Sequence, residues 1–152
     1  YNAVISACEK GMRPDLALEL FEGMQQRGPT PDLITYSAII SACSKGIRWK
    51  EVLRLLFEMR QLRMTPHVIS CNAAMSACVK GLQWEKSSEL FELMWHARVA
   101  PDVITYNTAI SACGLRGAWE SPLRLLDEMG RKRLMPDVVT YNAVISACGR
   151  GE

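Results

Sequence analysis

No run of apolar residues in this chain approaches the ~20 that a membrane-spanning helix needs, because charged residues keep interrupting the hydrophobic ones. No membrane partner is expected. Histidine is scarce: His67 and His96 are the only two, and neither has a Cys-x-x-Cys or His-x-Glu pattern beside it. The zinc-deaminase arrangement is therefore missing. There is no clustered Asp set of the kind a metallonuclease needs and no Gly-rich loop after a strand to hold a nucleotide, so neither enzyme activity nor a cofactor is expected. Strict polar–apolar alternation and Asn-Gly turns are absent too, which removes β-hairpins. The charge excess is small, 18 Lys plus Arg against 16 Asp plus Glu for a net +2, so any polyanion binding must come from local placement of charge.

What is present is a globular composition, 49% hydrophobic and 22% charged over 152 residues, enough for one domain or a short array of small units. A long disordered tail is excluded. The chain opens at Tyr1 without an initiator Met or a charged-then-apolar leader, so any targeting signal is expected outside this sequence.

Six cysteines would suggest three disulfides in a secreted domain. Their positions argue otherwise. Cys8, Cys43, Cys78, Cys113 and Cys148 recur every 35 residues in nearly the same pentapeptide, with Cys71 outside the series. Equivalent positions on successive helices stand roughly a helix diameter apart, beyond disulfide reach. They read as small buried thiols in a reducing compartment, with no ligand spacing for a metal.

The same interval organises everything else. Tyr1, Tyr36, Tyr106 and Tyr141 share a register whose third member is Cys71; Pro31, Pro66, Pro101 and Pro136 share another. Ile-Ser-Ala-Cys recurs at Ile5, Ile40, Ile110 and Ile145, with Met75 opening the remaining copy. This is an internal repeat of four periods and part of a fifth: 1–32, truncated at its N-terminus, then 33–67, 68–102, 103–137, and 138–152 as the start of the next.

Within one period Tyr36, Ile39, Ile40 and Cys43 have helical spacing ended by Gly46, and Trp49, Val52, Leu53, Leu56 and Met59 mark an amphipathic second helix. Thr65 before Pro66 closes the unit, since the residue preceding a proline is pushed out of the α region. Each unit is a helical hairpin that cannot bury its apolar faces alone. Stacking is expected to bury Leu20, Leu55, Leu90 and Leu125 with Met24, Met59, Met94 and Met129 in one continuous core. The fold class that follows is all-α, a right-handed α-solenoid of stacked antiparallel helical hairpins, by analogy with known helical-repeat arrays. With Tyr1 in mid-helix and Gly151-Glu152 between two helices, both ends lack polar capping helices, as in a window cut from a longer array.

Val103-Ile104-Thr105-Tyr106-Asn107 and Val138-Val139-Thr140-Tyr141-Asn142 open first helices, Leu20-Phe21-Glu22-Gly23-Met24 and Leu90-Phe91-Glu92-Leu93-Met94 sit in second helices, and Pro31-Asp32, Pro101-Asp102 and Pro136-Asp137 close units. This pattern resembles the pentatricopeptide repeat family, in its plain 35-residue class, over essentially the whole chain. The related tetratricopeptide pattern has period 34 and a Trp-x-x-Leu-Gly start that is missing here. The resemblance implies sequence-specific binding of single-stranded RNA, one base per repeat, in mitochondrion or chloroplast, serving RNA processing, stabilisation, splicing or translation. Two other functions compete with it: a protein-binding helical scaffold, and the recognition arm of a longer RNA-modifying enzyme.

Carried over position by position, the resemblance makes Asn2 with Asp32, Ser37 with His67, Asn72 with Asp102, and Asn107 with Asp137 the base readers, and leaves Asn142 with its partner outside the sequence. Asn with Asp is associated with uridine, whose mixed edge suits an amide that both donates and accepts. Ser is associated with purines, and His67 stands where Asp or Asn is usual, which gives 5′-U-purine-U-U-3′ with the second base open. The Asp residues also fit helix N-caps, and the two roles are compatible. Ile34, Ile69, Ile104 and Val139 match aliphatic residues that wedge between bases, against a core role. Lys10, Lys45, Lys80 and Arg150 end first helices, where a cation meets either the helix C-terminus or a phosphate. Leu115 breaks that register in the fourth repeat. Trp49, Trp84 and Trp119 share the start of the second helix and read as inter-helix packing rather than a stacking platform. Ser6, Ser41, Ser76, Ser111 and Ser146 read as small helix-packing residues.

Overall fold

The computed structural model describes residues 2–117 and 120–149, and for residue 2 the backbone only. Tyr1, Trp119, Arg150 and the Gly151-Glu152 end, and the side chain of Asn2, lie outside what is described. Among the described residues the chain is all-α: α1 (Asn2–Lys10), α2 (Pro14–Arg27), α3 (Leu33–Lys45), α4 (Trp49–Gln61), α5 (Val68–Lys80), α6 (Trp84–His96), α7 (Val103–Arg116), α8 (Glu120–Arg131) and α9 (Val138–Cys148). Odd-numbered helices are the first of each hairpin and even-numbered ones the second.

The starts of the first helices have a common local cause. Asp32, Asp102 and Asp137 are N-caps whose carboxylates accept from the backbone N–H of Thr35, Thr105 and Thr140, while each Thr hydroxyl oxygen accepts from the Asp backbone N–H, a reciprocal capping box. Second helices start differently. Pro14 opens α2, where its missing N–H is one of the unpaired donors anyway, and Pro122 lies buried in the first turn of α8.

Gly46 does not end α3 through a left-handed conformation. Its φ is −82°, and the left-handed residue is Ile47 at φ 57°. Glycine is required there for proximity, because a Cβ on Gly46 would stand 2.6 Å from Cγ of Pro14. Met12 and Leu82 repeat the Ile47 conformation, each at a cost of roughly 1–2 kcal/mol for a non-glycine residue. In the fourth repeat α7 continues to Arg116, and Gly117 itself takes the left-handed turn at φ 73°.

The chain forms two compact units, Tyr1–Ala77 and Cys78–Glu152. In the first, α3 packs on α1, α2 and α4, and Ile5, Phe21, Met24, Tyr36, Ile39, Ile40, Leu55 and Met59 are buried. In the second, α7 packs on α6, α8 and α9 around Tyr106, Ile110, Met129 and Val144, with Phe91, Leu125 and Leu126 against them. The expected core series is buried at every Met, but Leu20 and Leu125 are only half-buried. Phe21 fills the inner face of α2, which turns Leu20 toward its flank.

All six thiols are free. Burial pushes Cys43 up to about 12, with Glu51 adding to it, and Cys71 and Cys78 up to about 11. These three are inert as nucleophiles at neutral pH. Cys113 and Cys148 correct the expectation of uniformly buried thiols, since both are half-buried. Cys113 lines a cleft of about 340 Å³ between α6, α7 and α8, beside Phe91, Trp95 and Arg124.

Candidate nucleic-acid interface

Ser37, Asn72, Asn107 and Asn142 lie one turn in from the N-termini of α3, α5, α7 and α9, Asn2 opens α1, and Asp32, His67, Asp102 and Asp137 stand just ahead of a first helix. Asn107 is half-buried on α7, and its Nδ2 donates to Oδ1 of Asp137 at 3.2 Å, so two side chains 30 residues apart in sequence form one unit. The same carboxylate accepts from the Thr140 backbone N–H at 2.8 Å and the Thr140 hydroxyl at 2.9 Å. Asp137 is thus both cap and partner. The Asn107 Oδ1 atom is buried without a hydrogen-bond partner.

The bonds from Thr140, then the one from Asn107, hold the Asp137 carboxyl below the ordinary carboxylate range. A carboxyl with a lower pKa folded than unfolded adds stability above its unfolded value of about 4, and that contribution is lost as pH falls through the folded value. A carboxyl-detected NMR titration should therefore place the Asp137 midpoint below those of free Asp residues, and Thr140→Val should raise it. An unmoved midpoint in that variant would show that the cap does not hold the carboxylate.

Ser37 and His67 behave otherwise. No hydrogen bond joins them. The Ser37 hydroxyl donates to the Leu33 carbonyl at 2.8 Å and accepts from the Ser70 hydroxyl at 3.1 Å. His67 is exposed. Asn72 is 8% exposed, in the first unit, and Asp102 caps α7 in the second. Asn142 is exposed on α9.

The wedge register stands outside the core: Ile34, Ile69, Ile104 and Val139 are between 60% and 75% exposed. Isolated exposed aliphatics are ordinary, but four at one repeat position form a series. Lys10, Lys45 and Lys80 sit in the last turns of α1, α3 and α5, each favourable against the helix C-terminus. Lys45 is further engaged, its Nζ 3.0 Å from Glu9 Oε1. Burial alone would raise the Glu9 carboxyl, but the bonds from Ser41 and Lys45 outweigh it and hold it low. Ser41 is thus a donor across helices and more than a small packing residue. Trp49 and Trp84 are half-buried, the latter beneath the Arg116 guanidinium at 5.2 Å. Among the described residues no group of three or more His, Cys, Asp or Glu is arranged to hold a metal.

Sequence reasoning missed a pairing between the hairpin helices. Tyr36 donates to Glu58 Oε1 and Tyr106 to Glu128 Oε1, both at 2.7 Å and both across 22 residues. A signal existed. Where Tyr is replaced by Cys71, the position 22 residues on is Leu93 in place of an acid, although Tyr1 has Gly23 there, so the signal is partial.

Fold and surface together define an all-α helical-repeat protein of the α-solenoid class. The PPR repeat family model matches residues 1–45, 66–115 and 101–150, and the PPR repeat model matches residues 34–64. The chain belongs to the PPR repeat family. Among solved structures it is similar to the pentatricopeptide repeat protein PPR10 in complex with an 18-nucleotide psaJ RNA element, at 30% identity and a TM-score of 0.80, covering 97% of this chain and 22% of that one. PPR10 from maize shows 25% identity and a TM-score of 0.64, with 98% and 26% covered. The PPR domain of Arabidopsis thaliana protein-only RNase P 1, in complex with tRNA, shares the fold at 14% identity and a TM-score of 0.82, with 95% and 77% covered. This chain thus spans about a fifth of the PPR10 chain. Among curated proteins no relative matches.

Proposed function

We propose that this chain binds single-stranded RNA, one base per repeat, with Asn2–Asp32, Ser37–His67, Asn72–Asp102 and Asn107–Asp137 as readers and no catalytic step of its own. The setting is a mitochondrion or chloroplast, and the outcome is processing, stabilisation, splicing or translation of a transcript through occupancy of its site. One observation carries the reading: the Asn107 amide is tied to Asp137 while its Oδ1 stays buried and unpartnered. A turn of the half-buried amide that keeps the bond to Asp137 brings Oδ1 to a uridine N3–H, which supplies the donor this oxygen lacks, and sets the second Nδ2 hydrogen toward a uridine carbonyl. The exposed aliphatic series separates neighbouring bases, and Lys10, Lys45 and Lys80 meet phosphates.

Affinity of the isolated chain for a U-rich strand should be modest and salt-dependent. If three lysines each neutralise one phosphate of a single strand, the log–log salt slope is about −2, and Lys80→Ala flattens it by about 0.7. Titrations at several salt concentrations measure both. Equal binding to duplex and single strand would favour instead a protein-binding scaffold, for which the same exposed aliphatics would serve as a peptide seat.

A further inference from the structure

We propose that the outward faces of α2 and α4 form a self-complementary surface through which two copies of this chain associate, a property independent of the RNA-binding reading. The two helices lie side by side and run the same way. Asp15 near the start of α2 pairs with Arg48, the N-cap of α4, and Gln25 near the end of α2 donates to Glu58 near the end of α4. Residues 35 apart therefore stand at equal heights on the two helices. On α2 the outward stripe is Asp15, Glu19 and Glu22, and at the same heights on α4 it is Lys50, Arg54 and Phe57, all six exposed. The spacing i, i+4, i+7 puts each set on one helix face. Charge thus reverses from one helix to the next, and Phe57 is 63% exposed at a register where the other second helices carry Glu22, Glu92 and Asp127.

Gly23 supplies the counterpart of the exposed ring. Glycine is a poor helix former, yet it lies inside α2 beside Glu22, and a Cβ there would meet nothing within 4 Å, so no close approach within the chain calls for it. A two-fold axis running between α2 and α4 and parallel to them lays each α4 on the α2 of the other copy and leaves heights unchanged. Lys50 then meets Asp15, Arg54 meets Glu19, and the Phe57 ring enters the notch at Gly23, with Glu22 beside it in reach of Arg60. Every contact occurs twice. Asp15 and Arg54 each have a partner within the chain, Arg48 and Glu51, but 76% and 47% of their side chains stay exposed for a second one. Two helices about 20 Å long and about 10 Å wide present roughly 400 Å² per copy, about half of what a standard interface buries on each side, so the dimer is weak and reversible. It uses none of the reader residues.

Sedimentation equilibrium of the unaltered chain without RNA, from about 10 μM to about 1 mM, tests this. The weight-average mass should rise from one copy toward two, with a dissociation constant between about 50 μM and about 1 mM. The rise should be smaller at about 0.5 M salt, which screens exposed charge pairs. Phe57→Glu, Arg54→Glu and Glu19→Arg should each weaken association about tenfold or more, and Arg54→Glu combined with Glu19→Arg should bring it back to within about threefold of the unaltered chain. Gly23→Gln fills the notch and should weaken association while the melting temperature holds or rises, since glycine is the poorer helix former. A single mass across the whole concentration range, or no recovery in the double variant, overturns the proposal. So does association that persists in Phe57→Glu and Arg54→Glu, which would put the contact on another surface, such as the ends of the repeat array. Thermal melts check each variant, and if a charge variant does not fold, Gly23→Gln and Phe57→Glu decide, with undiminished association in either rejecting the interface.

Discussion

Replacing Asn107 with Thr while keeping Asp137 should move the base preference at that position from uridine toward guanosine, by roughly ten- to a hundred-fold, the worth of a good hydrogen-bonded pair. The present amide donates one Nδ2 hydrogen to Asp137 and leaves Oδ1 without a partner, so on the proposed reading it offers a base both an acceptor and a second N–H. A hydroxyl has only one proton. Once that is given to the Asp137 carboxylate, lone pairs alone face the base, and the amide's match to the donor–acceptor edge of uridine is gone. Melting temperature should hardly change, because Asn107 is half-buried, lies in the second turn of α7, and caps nothing. Binding to RNAs differing at that one base, paired with thermal melts, reads both quantities. A large stability loss with no change in preference would overturn the role of Asn107 and, by register, of Asn2, Asn72 and Asn142.

The second large effect concerns stability. Tyr106→Ala should cost about 3–5 kcal/mol, the range for deleting a large buried aromatic. The ring is fully buried and meets Phe91 edge to face at a centroid distance of 5.3 Å. Burial, and then the bond to Glu128, pushes the phenol up, so it remains a donor at any physiological pH. Tyr106→Phe keeps the ring and strips the half-buried Glu128 of its donor, at a cost of about 1–3 kcal/mol. Tyr141 has the same register and motif but is half exposed, so Tyr141→Ala should cost under about 1 kcal/mol. Urea unfolding of the three variants checks the ranking. Equal losses at Tyr106 and Tyr141 would mean that burial in α7 is not what anchors the hairpin.

Pairing between helices reaches further than capping. Tyr36 and Tyr106 are each buried against an acid 22 residues on, while the position 22 residues after Tyr141 lies outside the sequence. The Asp residues were legible as caps because capping is local: acceptor and N–H lie three residues apart. Register pairs Ser37 with His67; in the structure no hydrogen bond joins the two, and Ser37 Oγ accepts from the Ser70 hydroxyl. Gly46 ends α3 as its position in the sequence indicates, and the ring of Pro14 is what excludes a Cβ there.

Sequence by itself determines the 35-residue period, the helical hairpin of each unit and the capped starts of the first helices, because periodicity and caps act over a few residues and need no partner beyond their own turn. Membership of the PPR repeat family follows from the same short patterns. Only the tertiary structure decides that Asn107 and Asp137 meet, that Lys45 is drawn to Glu9, that the aliphatic register stands exposed, and which cysteines are sealed. Those outcomes depend on how one helix lies against another, where a rotation of a few tens of degrees moves a side chain from core to surface.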